Sequence, residues 1–291
     1  MSKSVLGIIG GSGVYDLPEL EGAHWEEIAS PWGEPSDQVR MGEIDGLDVA
    51  FLPRHGRGHK VPPSEINYRA NIDVLKRAGV TDLVSVSACG SFREDLPPGM
   101  FVIVDQFIDR TFARDKSFFG KGCVAHVPMA DPVSPLLVER VYQAALSEDI
   151  KVHKGGTYLA MEGPQFSTLA ESELYRQWGC DVIGMTNMPE AKLAREAELC
   201  YASIAMVTDF DCWHPDHGDV DISEILRVMG SNTNLAARLI LQLARTFPKT
   251  HEPCPIGSDC ALDFAIITDP QARDQDLLKK LDAVAGRVLT P

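Results

Sequence analysis

Short apolar runs alternate with longer amphipathic stretches along this chain, as in proteins that contain both strands and helices. Runs of four to eight apolar residues are typical of buried strands and are too short to span a membrane. They predict strands over residues 5–9, 82–86, 100–104, 155–161, 181–184 and 204–207. Two more predicted strands, 38–44 and 47–53, flank Asp45 and Gly46, a dipeptide favoured in hairpin turns.

Helical spacing of apolar residues fills most of the remaining chain. It predicts helices over residues 65–78, 135–147, 189–197 and 220–246. A further helix is predicted to begin after Ser167 or Thr168, because Glu171 is placed to complete a capping box. Residues 261–267 form a last apolar element, and a charged helix at 270–281 ends the chain. Without an internal repeat or a linker, this alternation indicates a single-domain α/β fold with a mixed central β-sheet flanked by helices.

The chain is strongly acidic, with 27 Lys and Arg against 42 Asp and Glu and a net charge of −15. This balance argues against a nucleic-acid surface, which needs clustered basic residues. No run approaches the roughly 18 apolar residues of a membrane span, and the N-terminal apolar patch is too short for a signal peptide. Seven cysteines, mostly in apolar segments, favour a reducing compartment, although Cys254 and Cys260 lie close enough in sequence to pair. No cluster has zinc-ligand spacing, so we expect no metal site.

Three predicted strands end in small or cationic residues. The first runs into the turn 10–13, whose glycines expose N–H groups to an anion and whose one hydroxyl belongs to Ser12. Residues 54–59 carry four potential cations, and the planar donor fork of Arg54 suits an anion. The alternative for this segment is a solvated basic loop. The strand 82–86 is predicted to end in a small-residue turn at 87–91.

Asp209 and Asp211 follow the buried strand 204–207. The carboxyl ends of strands carry the ligand sites of open α/β sheets, so we expect these acids to meet the anion-binding residues, although a polar turn is the simpler alternative. The chain has no Gly-x-Ser-x-Gly nucleophile elbow. A glycosidase acting through two acids would leave the cations unused. Attack of phosphate on a glycosidic bond, with an acid protonating the leaving base, uses both groups.

Seven motifs match one known family in register. They lie at residues 7–13, 54–57, 67–71, 88–91, 105–111, 162–167 and 201–213. Through them the chain resembles the trimeric branch of the purine nucleoside phosphorylase family, and within that branch the methylthioadenosine phosphorylases. The match covers about residues 5–246, the core of a single domain over 1–291, and the C-terminal extension 247–291 resembles the family less.

The resemblance implies a phosphate site and a nucleoside site. The phosphate site would consist of Ser12, Arg54, His55, Ser87, the backbone of Ala88, and Thr186. The nucleoside site would consist of Phe166, Ser167, Met185, Asp209, Phe210, Asp211, Ile222, Ile225, Leu226 and His126. The family usually has Thr where Ser12 stands, and the hydroxyl is kept. A lone histidine is more often structural, but the family places His126 of a neighbouring subunit beside the 5′-methylthio pocket.

Each of these residues has an implied role. Met185 would lie under the ribose, Phe166 against the purine and ribose, and Ser167 near the base edge. Ile222, Ile225 and Leu226 would form the apolar wall for the 5′-methylthio group, although such a stripe is usually core. Asp209 would protonate purine N7, which requires a pKa raised by burial. Asp211 would accept a hydrogen bond from the exocyclic amine. The 6-oxopurine enzymes of the family place Asn at the first position, so Asp at both argues for adenine.

The expected reaction is phosphate-dependent cleavage of S-methyl-5′-thioadenosine to adenine and 5-methylthioribose 1-phosphate, with 5′-deoxyadenosine as a further substrate. The alternatives are a phosphorylase for methylthioinosine, guanosine or adenosine, a non-catalytic nucleoside-binding protein, and a hydrolase that uses water. The resemblance also implies a cytoplasmic homotrimer with subunit-shared sites, acting in purine and methionine salvage. Inorganic phosphate would be a co-substrate, with no other cofactor and no nucleic-acid or membrane partner.

Overall fold

The computed structural model describes residues 2–11, 17–215 and 222–289. Within these ranges, eleven strands form one mixed sheet and seven α-helices accompany it. The strands are β1 (Val5–Gly10), β2 (Glu21–Glu26), β3 (Val39–Ile44), β4 (Leu47–Pro53), β5 (Asp82–Ser91), β6 (Phe101–Val104), β7 (Gln106–Asp109), β8 (Val152–Lys154), β9 (Thr157–Ala160), β10 (Val182–Gly184) and β11 (Cys200–Asp209). The helices are α1 (Tyr68–Arg77), α2 (Pro135–Ser147), α3 (Leu169–Gln177), α4 (Asn187–Glu196), α5 (Ile222–Thr246), α6 (Gln275–Lys280) and α7 (Asp282–Leu289). In the described chain, none of these helices is long and apolar enough to cross a membrane.

Four parallel strands form the middle of the sheet. β5 is parallel to β1 on one side and to β11 on the other, and β4 is parallel to β1. These strands are buried along almost their whole length, as is usual for parallel strands covered on both faces. Their carboxyl ends lie at one edge of the sheet, where ligands of α/β proteins bind.

The sheet divides at β5. Ser85 of β5 pairs with Ile9 of β1, whereas Gly90 pairs with Ile183 of the antiparallel strand β10. In the described chain, residues 86–89 therefore have no strand partner on that side, although they pair with β11 on the other. This gap opens the sheet at the same edge at which the parallel strands end.

Side-chain caps set the beginnings of several helices. Oδ1 of Asn67 accepts a 3.1 Å hydrogen bond from the Ala70 N–H at the start of α1. The predicted capping box of α3 is present, with Thr168 as the cap and Glu171 as its partner. These caps satisfy N–H groups that have no partner inside the helix. α5 packs against β11 and α2, which places its inner face beside the open edge of the sheet.

Most of the predicted elements are confirmed, and the corrections concern residues 87–91, three short strands and the C-terminal segment. The predicted turn at 87–91 is wrong, because these residues continue β5 between β11 and β10. β2, β7 and β8 were not predicted, because each is short or carries few apolar residues. Residues 261–267 form turns and one isolated bridge instead of a regular element. The predicted helix at 270–281 is a single-turn 3-10 helix followed by α6, and α7 ends the described chain.

The suggested pairing of Cys254 with Cys260 is not formed. Both cysteines are free; Cys254 is buried, whereas Cys260 is exposed. The Cys254 thiol donates to Oγ of Ser134 at 3.6 Å, and the Cys260 thiol donates to the Gly257 carbonyl at 3.7 Å. Proximity in sequence did not bring these two side chains into one environment.

Candidate active site

A cavity of about 300 Å³ lies at the open edge of the sheet, where β4, β5 and β11 end. Ten of the predicted site residues line it. They are Arg54, His55, Ser87, Ala88, Phe166, Met185, Thr186, Asp209, Asp211 and Ile225. Ser12 and the side chain of Ile222 lie outside the described residues. Anion-binding and acidic residues that are distant in sequence therefore share one cavity large enough for a small ligand.

Arg54 fills the gap in the sheet beside β5. Its Nη1 donates to the Val86 carbonyl at 2.9 Å, and its Nη2 donates to the Ile9 carbonyl at 3.1 Å and to Oγ of Ser85 at 2.6 Å. Alternate residues of a strand present their main-chain groups to the same edge, so Ala88 shares this edge with Val86. The gap thus leaves strand backbone exposed to the cavity, and Arg54 bridges the two strands where the gap begins.

The donor fork of Arg54 is directed at Glu190 and not at the cavity. Nε donates to Oε2 of Glu190 at 2.7 Å, and Nη2 donates to Oε1 at 3.1 Å. Tyr201 donates its hydroxyl hydrogen to the same Oε1 at 2.9 Å. Burial opposes the charged form of Arg54, but the Glu190 carboxylate outweighs it, so the pKa of Arg54 is raised. Contacts with the described residues use four of the five guanidinium hydrogens, which leaves one hydrogen on Nη1 for a ligand.

His55 and Thr186 supply the neutral polar groups of this side. Nδ1 of His55 donates to the Val61 carbonyl at 2.8 Å, since a carbonyl can only accept. Burial lowers the pKa of His55 to about 4, so the ring is neutral at pH 7 and its Nε2 is an acceptor. The ring stacks on His59, with centroids 4.2 Å apart. Oγ1 of Thr186 is buried and has no hydrogen-bond partner among the described residues, as expected of a group that awaits a ligand.

A bulge in β11 positions the two acids. Val207 pairs with Cys89 and Asp209 with Gly90, which leaves Thr208 as the extra residue. Such bulges re-aim side chains beside active sites. Oγ1 of Thr208 donates to Oδ2 of Asp209 at 2.7 Å, and burial raises the pKa of Asp209 above that of a free carboxyl group.

Asp211 is the more deeply buried acid, with 5% of its surface exposed. Burial raises its pKa, the nearby Ser172 and Ser167 side chains act in the opposite direction, and the Asp209 charge adds to the rise. Its backbone has a positive φ of 53°, a conformation that Asp and Asn adopt more readily than most residues. Ser167 does not line the cavity; its hydroxyl donates to the Met161 sulfur at 3.8 Å.

The opposite wall comes from α5 and two loops. Ile225, Met229 and Thr233 line the cavity at successive helical turns. Leu226 is rotated away from this face by about 100° and is 62% exposed. Met185 lines the floor, and Phe166 lines the mouth with about half of its surface exposed.

Besides Ser167 and Leu226, two further predicted residues do not line the cavity in this chain. Phe210 is buried and packs against Trp213 and His214, with ring centroids 5.9 and 4.8 Å away. His126 is exposed, and its N–H donates to the Ala265 carbonyl at 2.9 Å. Within one chain the structure gives neither side chain a contact with the cavity.

The sequence analysis missed several residues that build the site. Arg114 ties two cavity loops together: Nη1 donates to the Met185 carbonyl at 2.6 Å, and Nη2 donates to the Glu162 carbonyl at 2.7 Å. Although burial opposes it, N–H donors and Arg114 hold the pKa of Glu162 at about 2. Glu190, Thr208, Met229 and Thr233 were also not predicted, because a single residue within a helix or strand gives no motif of its own. In the described chain, no group of His, Cys, Asp and Glu is placed to hold a metal ion.

Comparisons with known proteins agree with this geometry. A model of the phosphorylase superfamily matches residues 5–245. The S-methyl-5′-thioadenosine phosphorylase of Bradyrhizobium diazoefficiens is 68% identical over 289 residues, covering 99% of each chain. That of Rhodospirillum rubrum is 63% identical, covering 99% of this chain and 98% of the relative.

Solved structures show the same similarity. A methylthioadenosine phosphorylase from an antarctic soil metagenomic library superposes with a TM-score of 0.89 at 45% identity, over 98% of this chain and 99% of that one. The Schistosoma mansoni methylthioadenosine phosphorylase in complex with adenine gives a TM-score of 0.78 at 37% identity, over 82% of this chain and 90% of that one. The mixed α/β fold predicted from the sequence is therefore confirmed.

Proposed function

The chain belongs to the phosphorylase superfamily, and we propose that it cleaves S-methyl-5′-thioadenosine with inorganic phosphate. The products are adenine and 5-methylthioribose 1-phosphate, which makes it a pentosyltransferase of purine and methionine salvage. One observation carries this function: the acids Asp209 and Asp211 share a cavity with Arg54, Ser87 and Thr186. A carboxyl group for the base and donors for an oxyanion are the two requirements of phosphorolysis.

The reaction uses the two sides of the cavity in turn. The bond between C1′ and purine N9 lengthens first, so the ribose becomes cationic and the base anionic. A phosphate oxygen beneath the sugar then forms the new bond to C1′. Asp209, whose pKa burial raises, delivers its proton to N7 and so neutralises the departing adenine. Thr186 and Arg54 would donate to the phosphate, and Ser87 would do so by turning its hydroxyl hydrogen away from Oδ1 of Asn187. Ser12 would add a hydroxyl from outside the described residues.

Asp211 would select adenine. An ionised carboxylate accepts a hydrogen bond from the exocyclic amine and repels the carbonyl of a 6-oxopurine. A site that leaves a buried polar group unpaired with the wrong base discriminates strongly. The nearby Ser167 side chain favours the charged form of this acid, and Phe166 would cover the purine.

The α5 face would hold the 5′-methylthio group. Ile225 and Met229 present apolar side chains there, and Ile222 and Leu226 would extend the wall when subunits assemble. 5′-Deoxyadenosine should be accepted as a smaller apolar analogue. Adenosine should be turned over less well, because this wall must bury its 5′-hydroxyl.

We further propose a single domain over residues 1–291 that works as a cytoplasmic homotrimer. His126 is exposed, as a residue contributed to a neighbouring subunit's 5′ pocket must be. Phosphate serves as co-substrate, and the mechanism asks for no other cofactor. Size-exclusion chromatography with light scattering tests the trimer, and His126→Ala should raise KM for the nucleoside without changing KM for phosphate.

The deciding experiment is ultraviolet-monitored cleavage of S-methyl-5′-thioadenosine with and without phosphate. We expect adenine release only with phosphate, together with a sugar 1-phosphate. Equal release without phosphate would identify a hydrolase, and binding without release would identify a nucleoside-binding protein. A panel with 5′-deoxyadenosine, adenosine, methylthioinosine and guanosine then ranks the substrates. Comparable turnover of adenosine and 5′-deoxyadenosine would contradict the proposed 5′ wall.

A further inference from the structure

Arg54 is the one lysine or arginine among the described residues that line the cavity, and its charge is already matched. Fully buried Glu190 accepts from its Nε at 2.7 Å and from its Nη2 at 3.1 Å. Arg114, which donates to the Met185 carbonyl, has its charge cancelled in the same way: its Nε lies 3.0 Å from Oε1 of Glu162. Burial keeps His55 neutral. The phosphate side therefore offers hydrogen-bond donors, while its buried side-chain charges cancel.

We propose that Glu190 controls phosphate affinity and turnover by acting through Arg54. Glu190 cancels the guanidinium charge, so Arg54 orients the phosphate by hydrogen bonding without neutralising it. This inference rests on the phosphate-dependent reaction proposed above. It makes Glu190 a positioning residue that sets the charge of the site, although it lies behind Arg54 and has no place on the cavity wall.

A site of balanced charge suits the charge changes of phosphorolysis. The ribose becomes cationic as the glycosidic bond breaks, and the phosphate beneath it is the nearest anion. An unmatched Arg54 would attract phosphate before the reaction and repel the ribosyl cation during it. Binding that is stronger in the ground state than in the transition state lowers KM and also lowers kcat. Charges a few ångströms apart interact strongly inside a protein, so cancelling the charge of Arg54 should measurably change phosphate KM and kcat.

Glu190→Gln removes the charge with little change of shape. The amide oxygen can still accept from Nε of Arg54, and the amide nitrogen can donate to the Tyr201 hydroxyl oxygen, whose hydrogen now points at Glu190. Nη2 of Arg54 keeps the Ile9 carbonyl and Ser85 Oγ as acceptors for its two hydrogens. The guanidinium should therefore stay in place while its charge becomes unmatched.

The test is a steady-state comparison of wild type and Glu190→Gln, with phosphate and nucleoside varied separately. We expect KM for phosphate to fall by about ten-fold and kcat to fall by about ten-fold, with KM for the nucleoside within about two-fold. An unchanged or raised phosphate KM in a folded variant would overturn the proposal. Tyr201→Phe is the matched control, because it removes a hydrogen bond to Glu190 but keeps the charge. If Tyr201→Phe lowered the phosphate KM as much as Glu190→Gln does, that result would also overturn the proposal.

A second pair of variants decides the matter if Glu190→Gln does not fold. Arg54→Gln leaves Glu190 unmatched and should raise phosphate KM by about thirty-fold or more. The double variant with Glu190→Gln also lacks the unpaired carboxylate charge, so its phosphate KM should return most of the way to the wild-type value. No such return in a folded double variant would overturn the proposal. Wild type separates the two hypotheses. Phosphate-independent adenine release would refute the proposed function, whereas a phosphate-dependent wild type with an unaltered KM in Glu190→Gln refutes only the role of Glu190.

Discussion

The main-chain N–H of Asp211 donates a 2.8 Å hydrogen bond to Oδ1 of Asp209, so the backbone of one acid fixes the carboxyl group of the other. The Thr208 hydroxyl donates to the remaining oxygen, Oδ2. Burial raises the pKa of Asp209, and although both hydrogen bonds act in the opposite direction, burial outweighs them. The two hydrogen bonds hold the carboxyl group in place, while burial favours its protonated form.

Replacing Asp209 with Asn should remove the proton donor and keep its position. The Asn Oδ1 can still accept the Asp211 N–H, so we expect the cavity and both KM values to change by less than about three-fold. General-acid catalysis contributes about 10² to 10⁴ in rate, and kcat should fall within that range. Initial rates of phosphate-dependent adenine release measure this. A loss confined to KM would show that Asp209 binds substrate without transferring a proton.

The pH dependence of the same variant supplies the control. Asp209 acts in its protonated form, and burial raises its pKa, so wild-type activity should decline as pH rises through that value. Asp209→Asn has no proton to lose there, and its residual activity should lack that decline. An identical alkaline decline in both proteins would assign it to another group.

Asp211→Asn should relax selection of the base. An amide donates to the carbonyl of a 6-oxopurine where a carboxylate repels it, and Asn tolerates the positive φ of 53° at this position. We expect kcat/KM for S-methyl-5′-thioadenosine to fall by about ten- to a hundred-fold and turnover of methylthioinosine to rise. The substrate panel measures this, with Asp209→Asn as the contrast, since that variant should lose both classes of substrate. An unchanged preference would remove Asp211 from base recognition.

The cavity residues that the strand pattern of the sequence could predict are those at the ends of strands. Asp209, Arg54 and Thr186 follow or end apolar strands, and parallel strands bring such positions to one edge of a sheet. The partners of these residues could not be identified. Glu190 lies within a helix 136 residues from Arg54, and only the gap beside β5 brings the two together. The apolar wall was predicted on the right helix, but its Met229 and Thr233 depend on how α5 rotates against β11.

Gly90 gives a test of how closely the acids are packed. A Cβ at this position would lie 2.9 Å from Oδ1 of Asp209 and 3.3 Å from the Asp211 nitrogen. Gly90→Ala should therefore displace both acids, lowering kcat/KM for the nucleoside by about ten-fold or more and leaving KM for phosphate within about three-fold. Kinetics with each substrate varied in turn separate the two effects.

Gly230→Ala is the matched control for that substitution. A Cβ at Gly230, on α5 beside the cavity-lining Met229, meets no atom of the described residues within 4 Å apart from its own stretch of helix. Its activity should match wild type, and the free energy of unfolding should rise by about 0.5 to 1 kcal/mol, because Ala favours a helix more than Gly does. Equal losses of activity in both variants would contradict steric displacement of the acids.

Glu196, at the end of α4, should make the stability of the protein depend on pH. It is buried and accepts from the Ser117 hydroxyl and the Phe118 N–H, both at 2.7 Å. Burial outweighs these hydrogen bonds and raises its pKa from 4.5 to about 7. Between those values the folded chain keeps a proton that the unfolded chain has lost, so this contribution to stability is complete below pH 4.5 and is lost as pH rises to about 7. The loss should amount to about 3 kcal/mol, at about 1.4 kcal/mol for each pKa unit.

Glu196→Gln isolates this contribution, because the amide resembles the protonated acid. We expect the variant to gain stability relative to wild type as pH rises from 4.5 to 8, as measured by denaturant unfolding at a series of pH values. Glu94→Gln, a substitution of an exposed acid, should show a constant difference from wild type over the same range. If the difference for Glu196→Gln is also constant, the buried carboxyl group titrates at its ordinary pKa, and the segment at Ser117 and Phe118 is held by a charged group instead of a neutral one.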